Sequence, residues 1–123
     1  DLEDRFVNYA CGMIEIIEML PESKAGKYIA GQLIRSCNSP ALNYGEVQGA
    51  ESREDFIHKM KIVLKELKEC RVTLKIIIRR KMIPSVEKLN ALFKETEQLI
   101  AITGAGIQTA KKNLNSPANK LEH

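Results

Sequence analysis

The strongest candidate for chemistry in this sequence is a row of basic side chains between residues 59 and 81. Nine Lys or Arg residues accompany two acidic residues there, which gives a local charge of +7 in a chain whose net charge is +3. Six of the nine recur at steps of three or four residues, so a helix would place them within a sector of about 120°. These six residues form the basic stripe: Lys61, Lys65, Lys68, Arg71, Lys75 and Arg79.

A row of positive charge on one helix face is suited to binding the phosphates of a nucleic acid. The alternative is a lysine face that only keeps the protein in solution, as many helices have. The chain contains three Phe, three Tyr and no Trp, which disfavours the aromatic surfaces that read single-stranded nucleic acid. We therefore expect phosphate contacts with little reading of base sequence.

Catalytic and metal-binding patterns are absent from the sequence. Cys11, Cys37, Cys70 and His58 are far apart and make no pair at metal-ligand spacing. Cys70 falls in an apolar helical stripe, where a thiol stays protonated and unreactive. Glycines in the context of a phosphate-binding loop are also missing. The sequence predicts neither an enzyme nor a bound cofactor or metal.

The apolar residues follow a helical period almost throughout, and no segment alternates like a strand. The pattern predicts four amphipathic helices, over about residues 2–20, from Ser23 to Gly49, over residues 53–81, and from Ser85 to Asn113. Long helices with short connections indicate an all-α fold, an antiparallel up-and-down four-helix bundle over residues 1–114. Residues 115–123 are predicted to form a disordered tail, which ends in the vector-like Leu121-Glu122-His123.

The second and third helices carry more specific local signals. The apolar stripe of helix two includes Tyr28, Leu33 and Cys37, and Pro40 predicts a kink or a local break near residues 37–39. Ser52, followed three residues later by Asp55, predicts a helix N-terminal cap.

Helix four is apolar over more than one stripe. Its main seam follows steps of three and four residues from Val86 to Ala110, and a second line beside it contains Leu92, Leu99 and Gly106. A helix with such a wide apolar face often packs against another chain. We therefore predict an oligomer interface at Leu92, Leu99 and Gly106, although a wide core-facing surface would explain them nearly as well.

The compartment follows from hydropathy and cysteine usage. No apolar run approaches the roughly 18 residues of a membrane span, and no signal peptide is visible. The three dispersed cysteines are typical of core thiols in a reducing compartment. We expect a cytoplasmic protein without membrane contact.

The segment between residues 43 and 59 resembles a known signature. Asn43 and Glu46, followed by Gly49 and Phe56, are similar to the motif after the second helix of the four helix bundle protein family. This family is also called the 23S ribosomal RNA intervening-sequence proteins. The resemblance covers about residues 5–112.

The resemblance implies a function as well as a fold. It implies a small antiparallel bundle that assembles into homo-oligomeric rings, commonly pentamers, without enzymatic activity. A related branch, the accessory variability determinants of diversity-generating retroelements, binds nucleic acid and a reverse transcriptase. We expect an oligomer that binds nucleic acid, with RNA preferred over DNA. The alternative is a scaffold ring for a partner protein such as a reverse transcriptase.

Overall fold

The structure, a computed structural model, describes residues 1–114, and the predicted tail over residues 115–123 lies outside them. Within the described residues the chain forms four α-helices and no strands. These are α1 (Leu2–Met19), α2 (Lys24–Val47), α3 (Arg53–Arg79) and α4 (Val86–Leu114). The predicted all-α class is confirmed, and the helix ends lie within about two residues of their predicted positions.

The helices pack in an antiparallel bundle in chain order. Three contacts show that α1 and α4 run in opposite directions. Arg5 contacts Glu95, Gly12 lies beside Leu92, and the Oε2 of Glu15 lies 3.7 Å from the Nζ of Lys88. Each helix packs against the next along the chain, and α4 closes the bundle against α1. The diagonal pairs, α1 with α3 and α2 with α4, do not come close to each other through their backbones, as expected for an up-and-down bundle.

Short polar caps fix where the helices begin and end. The hydroxyl of Ser52 accepts a hydrogen bond from the Asp55 N–H at 3.1 Å, which confirms the predicted cap of α3. Ser23 caps α2 in the same way, because its hydroxyl accepts from the Gly26 N–H at 3.0 Å. Leu20, the residue before Pro21, is extended with φ −64° and ψ 145°, which is the conformation that a following proline imposes. The caps therefore set the short turns of the bundle.

Helix α2 passes through Pro40 as one element, so of the predicted kink or local break, the break is absent. A proline inside a helix costs about 3 kcal/mol through a lost hydrogen bond and a steric clash. Pro40 is buried in the bundle together with Leu33 and Cys37, and this packing offsets the cost. The Asn43 side chain also donates to the Ser39 carbonyl at 2.9 Å, which gives that part of the helix an extra bond.

The core consists of a large central cluster and a smaller cluster at one end of the bundle. The central cluster contains side chains from all four helices, including Phe6, Tyr9, Met13, Leu33, Leu67, Cys70, Leu74, Leu89 and Leu99. The smaller cluster lies where the α2–α3 turn meets the end of α4, and contains Val47, Ile57, Met60, Ile107 and Ala110. The buried side of α3 is therefore held in the core over the whole helix.

The predicted oligomer interface on α4 is wrong in its central residue. Leu99 is fully buried within the protomer and belongs to the central core cluster. Leu92 is half-buried and packs against Gly12 of α1, and Gly106 lies over Met60 of α3. Because both α1 and α3 pack on α4, its inward face is wider than a single seam. Leu99 is therefore excluded from an interface between copies, whereas for the half-buried Leu92 and Gly106 the interface stays a prediction.

Candidate nucleic-acid interface

The basic stripe lies on the outward face of α3. Residues of α3 at helical spacing, among them Val63, Leu67, Cys70 and Leu74, are fully buried and so hold the opposite face toward solvent. Five of the six stripe residues are exposed: Lys61, Lys65, Lys68, Lys75 and Arg79. From Lys61 to Arg79 the helix rises by about 27 Å. The stripe is a continuous row of positive charge of that length.

Arg71 differs from the other members of the stripe. Its side chain is half-buried, and its Nε atom is enclosed without a hydrogen-bond partner in the described part of the chain. Arg71 falls at the edge of the stripe sector nearest the buried face of α3. It therefore contributes less of its surface to the stripe than the lysines do.

A groove of about 670 Å³ lies along the lysine end of the stripe. Gln32 and Ser36 of α2 line one side of the groove, and Lys61, Lys65 and Lys68 line the other. Leu64, Val72 and Thr73 also line the groove, and Val72 is 54% exposed although it is apolar. The groove combines positive charge, apolar surface and hydrogen-bonding groups.

Two carboxylates modify the charge of this groove. The Ser36 hydroxyl donates to the Oε2 of Glu69 at 3.3 Å across the α2–α3 contact. Glu66 lies one turn earlier on α3, and partial burial, with the hydrogen bond and negative charge of Glu69, raises its pKa. Lys65 and Ser36 act in the opposite direction on Glu66. The groove therefore contains one lining carboxylate, that of Glu69, together with three lysines of the same helix.

An exposed aromatic ring stands beside this groove. Tyr28 of α2 was expected in the apolar stripe of its helix, but it is 68% exposed. The Gln32 side-chain amide donates to the Tyr28 hydroxyl at 3.1 Å, and Gln32 lines the groove. Leu33 and Cys37 already define the buried direction of α2, and Tyr28 lies on the other side of the helix from them. That spacing was the sequence signal for its exposure.

The residues of the resemblance motif build the α2–α3 turn. The Asn43 amide bonds to Ser39, at 2.9 Å from the carbonyl and 2.8 Å from the hydroxyl. The Glu46 carbonyl accepts from the Gly49 N–H at 3.0 Å. Phe56 is half-buried against the smaller core cluster and lines a second cavity of about 570 Å³. The motif therefore has a structural role at this end of the bundle.

Two of the three cysteines, Cys37 and Cys70, lie in the core as predicted, whereas the prediction of a core thiol is wrong for Cys11. Burial raises the pKa of the Cys37 thiol to about 11 and that of Cys70 to about 12. Cys11 is exposed on α1. Residues 1–114 hold no group of three or more His, Cys, Asp or Glu side chains arranged to bind a metal ion. No helix in the same range is long and apolar enough to cross a membrane.

Comparison with known proteins identifies the family. The profile of the 23S rRNA-intervening sequence protein family matches residues 5–105. The chain belongs to this family. The motif at Asn43, Glu46, Gly49 and Phe56 lies inside the matched range, as does the whole basic stripe. The resemblance seen in the sequence is confirmed.

A solved structure from the same group of proteins has the same fold. It is a crystal structure of a protein of unknown function from the S23 ribosomal protein family of Bacteroides thetaiotaomicron VPI-5482. The two chains align with a TM-score of 0.79 at 25% identity, over 87% of this chain and 98% of the other. A search of the curated proteins gives no match.

Proposed function

We propose that this member of the 23S rRNA-intervening sequence protein family is a non-catalytic nucleic-acid-binding protein with a preference for RNA. The observation that carries the proposal is the basic stripe, because five of its six residues are exposed along about 27 Å of one helix face. The family name, which refers to a ribosomal RNA element, supports RNA as the ligand. The contacts would be made mainly to phosphates.

The proposal includes self-association into a homo-oligomeric ring, with five copies as the expected number. The exposed side of α4 supports it, because residues 98–110 contain no charged side chain in a chain that is 28% charged. Ala101, Ile102, Ala105 and Thr109 are exposed there, and the space in front of Gly104 is open within the protomer. Several copies of the stripe would turn weak phosphate contacts into useful avidity.

Charge reversal tests the binding surface. The variant Lys61→Glu/Lys65→Glu/Lys68→Glu should reduce RNA affinity below detection near physiological salt, because three attractive contacts become repulsive. Fluorescence anisotropy would compare a labelled structured RNA with a matched DNA duplex from low salt upwards. For the wild-type protein, log affinity should fall against log salt with a slope of about −0.9 for each phosphate contacted on a duplex.

The matched control reverses three lysines on other helices. Lys24, Lys94 and Lys112 are exposed on α2 and α4, so their joint change to Glu alters net charge equally without touching the stripe. This control should keep most of the affinity. Equal loss in both triple variants would mean that net charge governs binding, and unchanged binding in the stripe variant would exclude the proposed surface.

A second charge substitution tests the assembly. Ala105→Glu places a carboxylate on the uncharged side of α4 and should produce smaller particles in light scattering. Ala91→Glu, on the exposed and charge-bearing half of the same helix, should leave the particle size unchanged. Equal sizes for the wild type and both variants would remove this side of α4 as the interface.

The second candidate function is a scaffold that binds a partner protein, for example a reverse transcriptase. It is favoured by an apolar groove of about 360 Å³ between α1 and α2, where Val7 is 45% exposed and Leu42 is 71% exposed. Apolar protein contacts survive at high salt, whereas phosphate contacts weaken. Partner binding that persists in high salt and in the stripe variant would favour this alternative.

A further inference from the structure

The groove beside the basic stripe contains both positive charge and groups that can hydrogen-bond to bases. A single nucleic-acid strand likewise has a charged phosphate edge and uncharged bases. Lys61, Lys65 and Lys68 supply positive charge on one side, as the phosphate edge of a strand requires. Gln32 and Glu69 line the groove with amide and carboxylate groups. Such groups bond to the edges of unpaired bases. The deep, narrow major groove of an A-form RNA duplex keeps its base edges away from side chains, so such a duplex would leave these groups largely unused.

The apolar part of the groove supports the same ligand. Val72 lies between the lysines on the outward face of α3 and is 54% exposed, and Ile76 one turn further is 45% exposed. Apolar side chains among lysines do not add attraction for a phosphate row. They do cover the flat apolar face of a base or the carbon atoms of a ribose.

Tyr28 provides a ring one helical turn beyond Gln32, outside the groove's own lining. Ser36 of α2 faces Glu69 of α3 at 3.3 Å, and Gln32, one turn earlier on α2, lines the groove with Thr73. Because the two helices are antiparallel, the next turn brings Tyr28 opposite the part of α3 that contains Ile76. The Gln32 side-chain amide donates a hydrogen bond to the Tyr28 hydroxyl at 3.1 Å, and Tyr28 is 68% exposed.

We infer that the groove binds an unpaired stretch of RNA, with phosphates on Lys61, Lys65 and Lys68 and a base stacked on Tyr28. The inference rests on the proposed function, since it requires that the stripe bind nucleic acid. It adds the form of the ligand, and it revises the expectation from aromatic content that bases play little part. One exposed tyrosine on this face is enough to stack one base.

The test compares two oligomers of equal charge. One is a single-stranded RNA of about 12 nucleotides, within the range of sites that single-strand-binding modules cover. The other is an abasic ribose-phosphate oligomer of the same length. The wild-type protein should bind the RNA about fivefold to tenfold more tightly, because one stacked base contributes on this scale. Tyr28→Ala should remove most of that difference, and Tyr28→Phe, which keeps the ring, should retain most of it.

Two controls separate the ring from general effects of substitution. Leu42→Ala removes another highly exposed apolar side chain of α2, 71% exposed, and should not change the preference for RNA. Tyrosine fluorescence reports the stacking directly, since Tyr9 is buried and Tyr44 half-buried. Single-stranded RNA should quench the emission of the wild type and should quench Tyr28→Phe much less.

The outcomes distinguish this inference from the proposed function. Equal, salt-sensitive binding of RNA and abasic oligomer would overturn the inference and leave the basic stripe as a phosphate-binding surface. A base preference that Tyr28→Ala leaves undiminished would overturn it too, because no base would then stack on Tyr28. Poly-glutamate binding as tightly as RNA would indicate an acidic protein as the partner instead. Failure to bind either oligomer at low salt would overturn both proposals.

Discussion

The hydroxyl of Tyr9 on α1 lies 2.7 Å from the hydroxyl of Thr96 on α4, and both side chains are buried in the centre of the bundle. The Thr96 hydroxyl is also 2.6 Å from the Leu92 carbonyl, which can only accept. Thr96 therefore donates to Leu92, and Tyr9 donates to Thr96. This order gives α1 and α4 a directional link within an otherwise apolar core.

The direction of that bond predicts unequal effects of two conservative substitutions. Tyr9→Phe leaves Thr96 bonded to Leu92 and should lower the free energy of unfolding by about 1 kcal/mol. Thr96→Val leaves the buried Tyr9 hydroxyl with only the sulfur of Cys70, a weak acceptor, and should cost about 2 kcal/mol. Urea denaturation of both variants measures the difference.

The double variant provides the control for this prediction. Tyr9→Phe made in the Thr96→Val background removes the poorly bonded hydroxyl and should restore part of the lost stability. If the two single costs simply add, or if Tyr9→Phe is the more damaging change, the assigned donor direction is wrong.

Two glycines of α2 should respond to alanine in opposite directions. A Cβ at Gly26 would clash with the backbone carbonyl of Pro21, whereas a Cβ at Gly31 would meet nothing within 4 Å. Gly26→Ala should therefore destabilise the protein by several kcal/mol or prevent folding, because a backbone must move. Gly31→Ala should stabilise it by up to about 1 kcal/mol through helix propensity. Thermal and urea midpoints of the two variants, measured side by side, check both signs.

The end of α3 contains a lysine where helices usually place glycine. Lys81 has φ of 50°, and the bonds from Met82 N–H to the Ile77 carbonyl and from Lys81 N–H to the Ile78 carbonyl are both 3.1 Å. This is the Schellman arrangement, whose left-handed residue is most often Gly. Lys81→Gly should raise the free energy of unfolding by about 0.5–1 kcal/mol.

The matching control for this substitution is Lys81→Ala, which removes the same charge but keeps the Cβ. It should give no such gain. A gain of equal size in both variants would show that relief of charge repulsion near Arg79 and Arg80, and not backbone strain, limits stability at this turn.

The partly buried Glu66 predicts a pH dependence. Burial and Glu69 raise the pKa of Glu66 above its ordinary value of 4.5, so folding favours the protonated acid. Its contribution to stability is fully present below pH 4.5 and is lost as the pH rises through the folded-state pKa. Glu66→Gln, which resembles the protonated acid, should exceed the wild type in stability by about 0.5 kcal/mol at pH 7.

The difference between Glu66→Gln and the wild type should vanish below pH 4.5, the ordinary value of the acid. Urea midpoints from pH 3 to pH 8 measure it, with the exposed Glu97→Gln of α4 as the control that should show little change. A variant that is less stable than the wild type at neutral pH would mean that the attraction between Glu66 and Lys65 outweighs burial.

The sequence predicted the features that a single helix determines. The cap between Ser52 and Asp55, the end of α1 before Pro21, and the outward direction of the lysines on α3 all follow from chemistry within a few turns. Of the kink or local break predicted at Pro40, the break did not occur, because packing of α2 into the core compensates for a local cost that the sequence shows correctly.

The amino-acid sequence by itself determined the four helices, their amphipathic faces and the family motif, because periodicity and capping are local properties. Only the tertiary structure decided that Leu99 lies inside the bundle, that Ser36 reaches Glu69, and that α2 and α3 form a groove one helical turn from Tyr28. Each of these depends on which neighbouring helix packs on which side. That choice is made by contacts between residues tens of positions apart, and the pattern of one helix does not contain it.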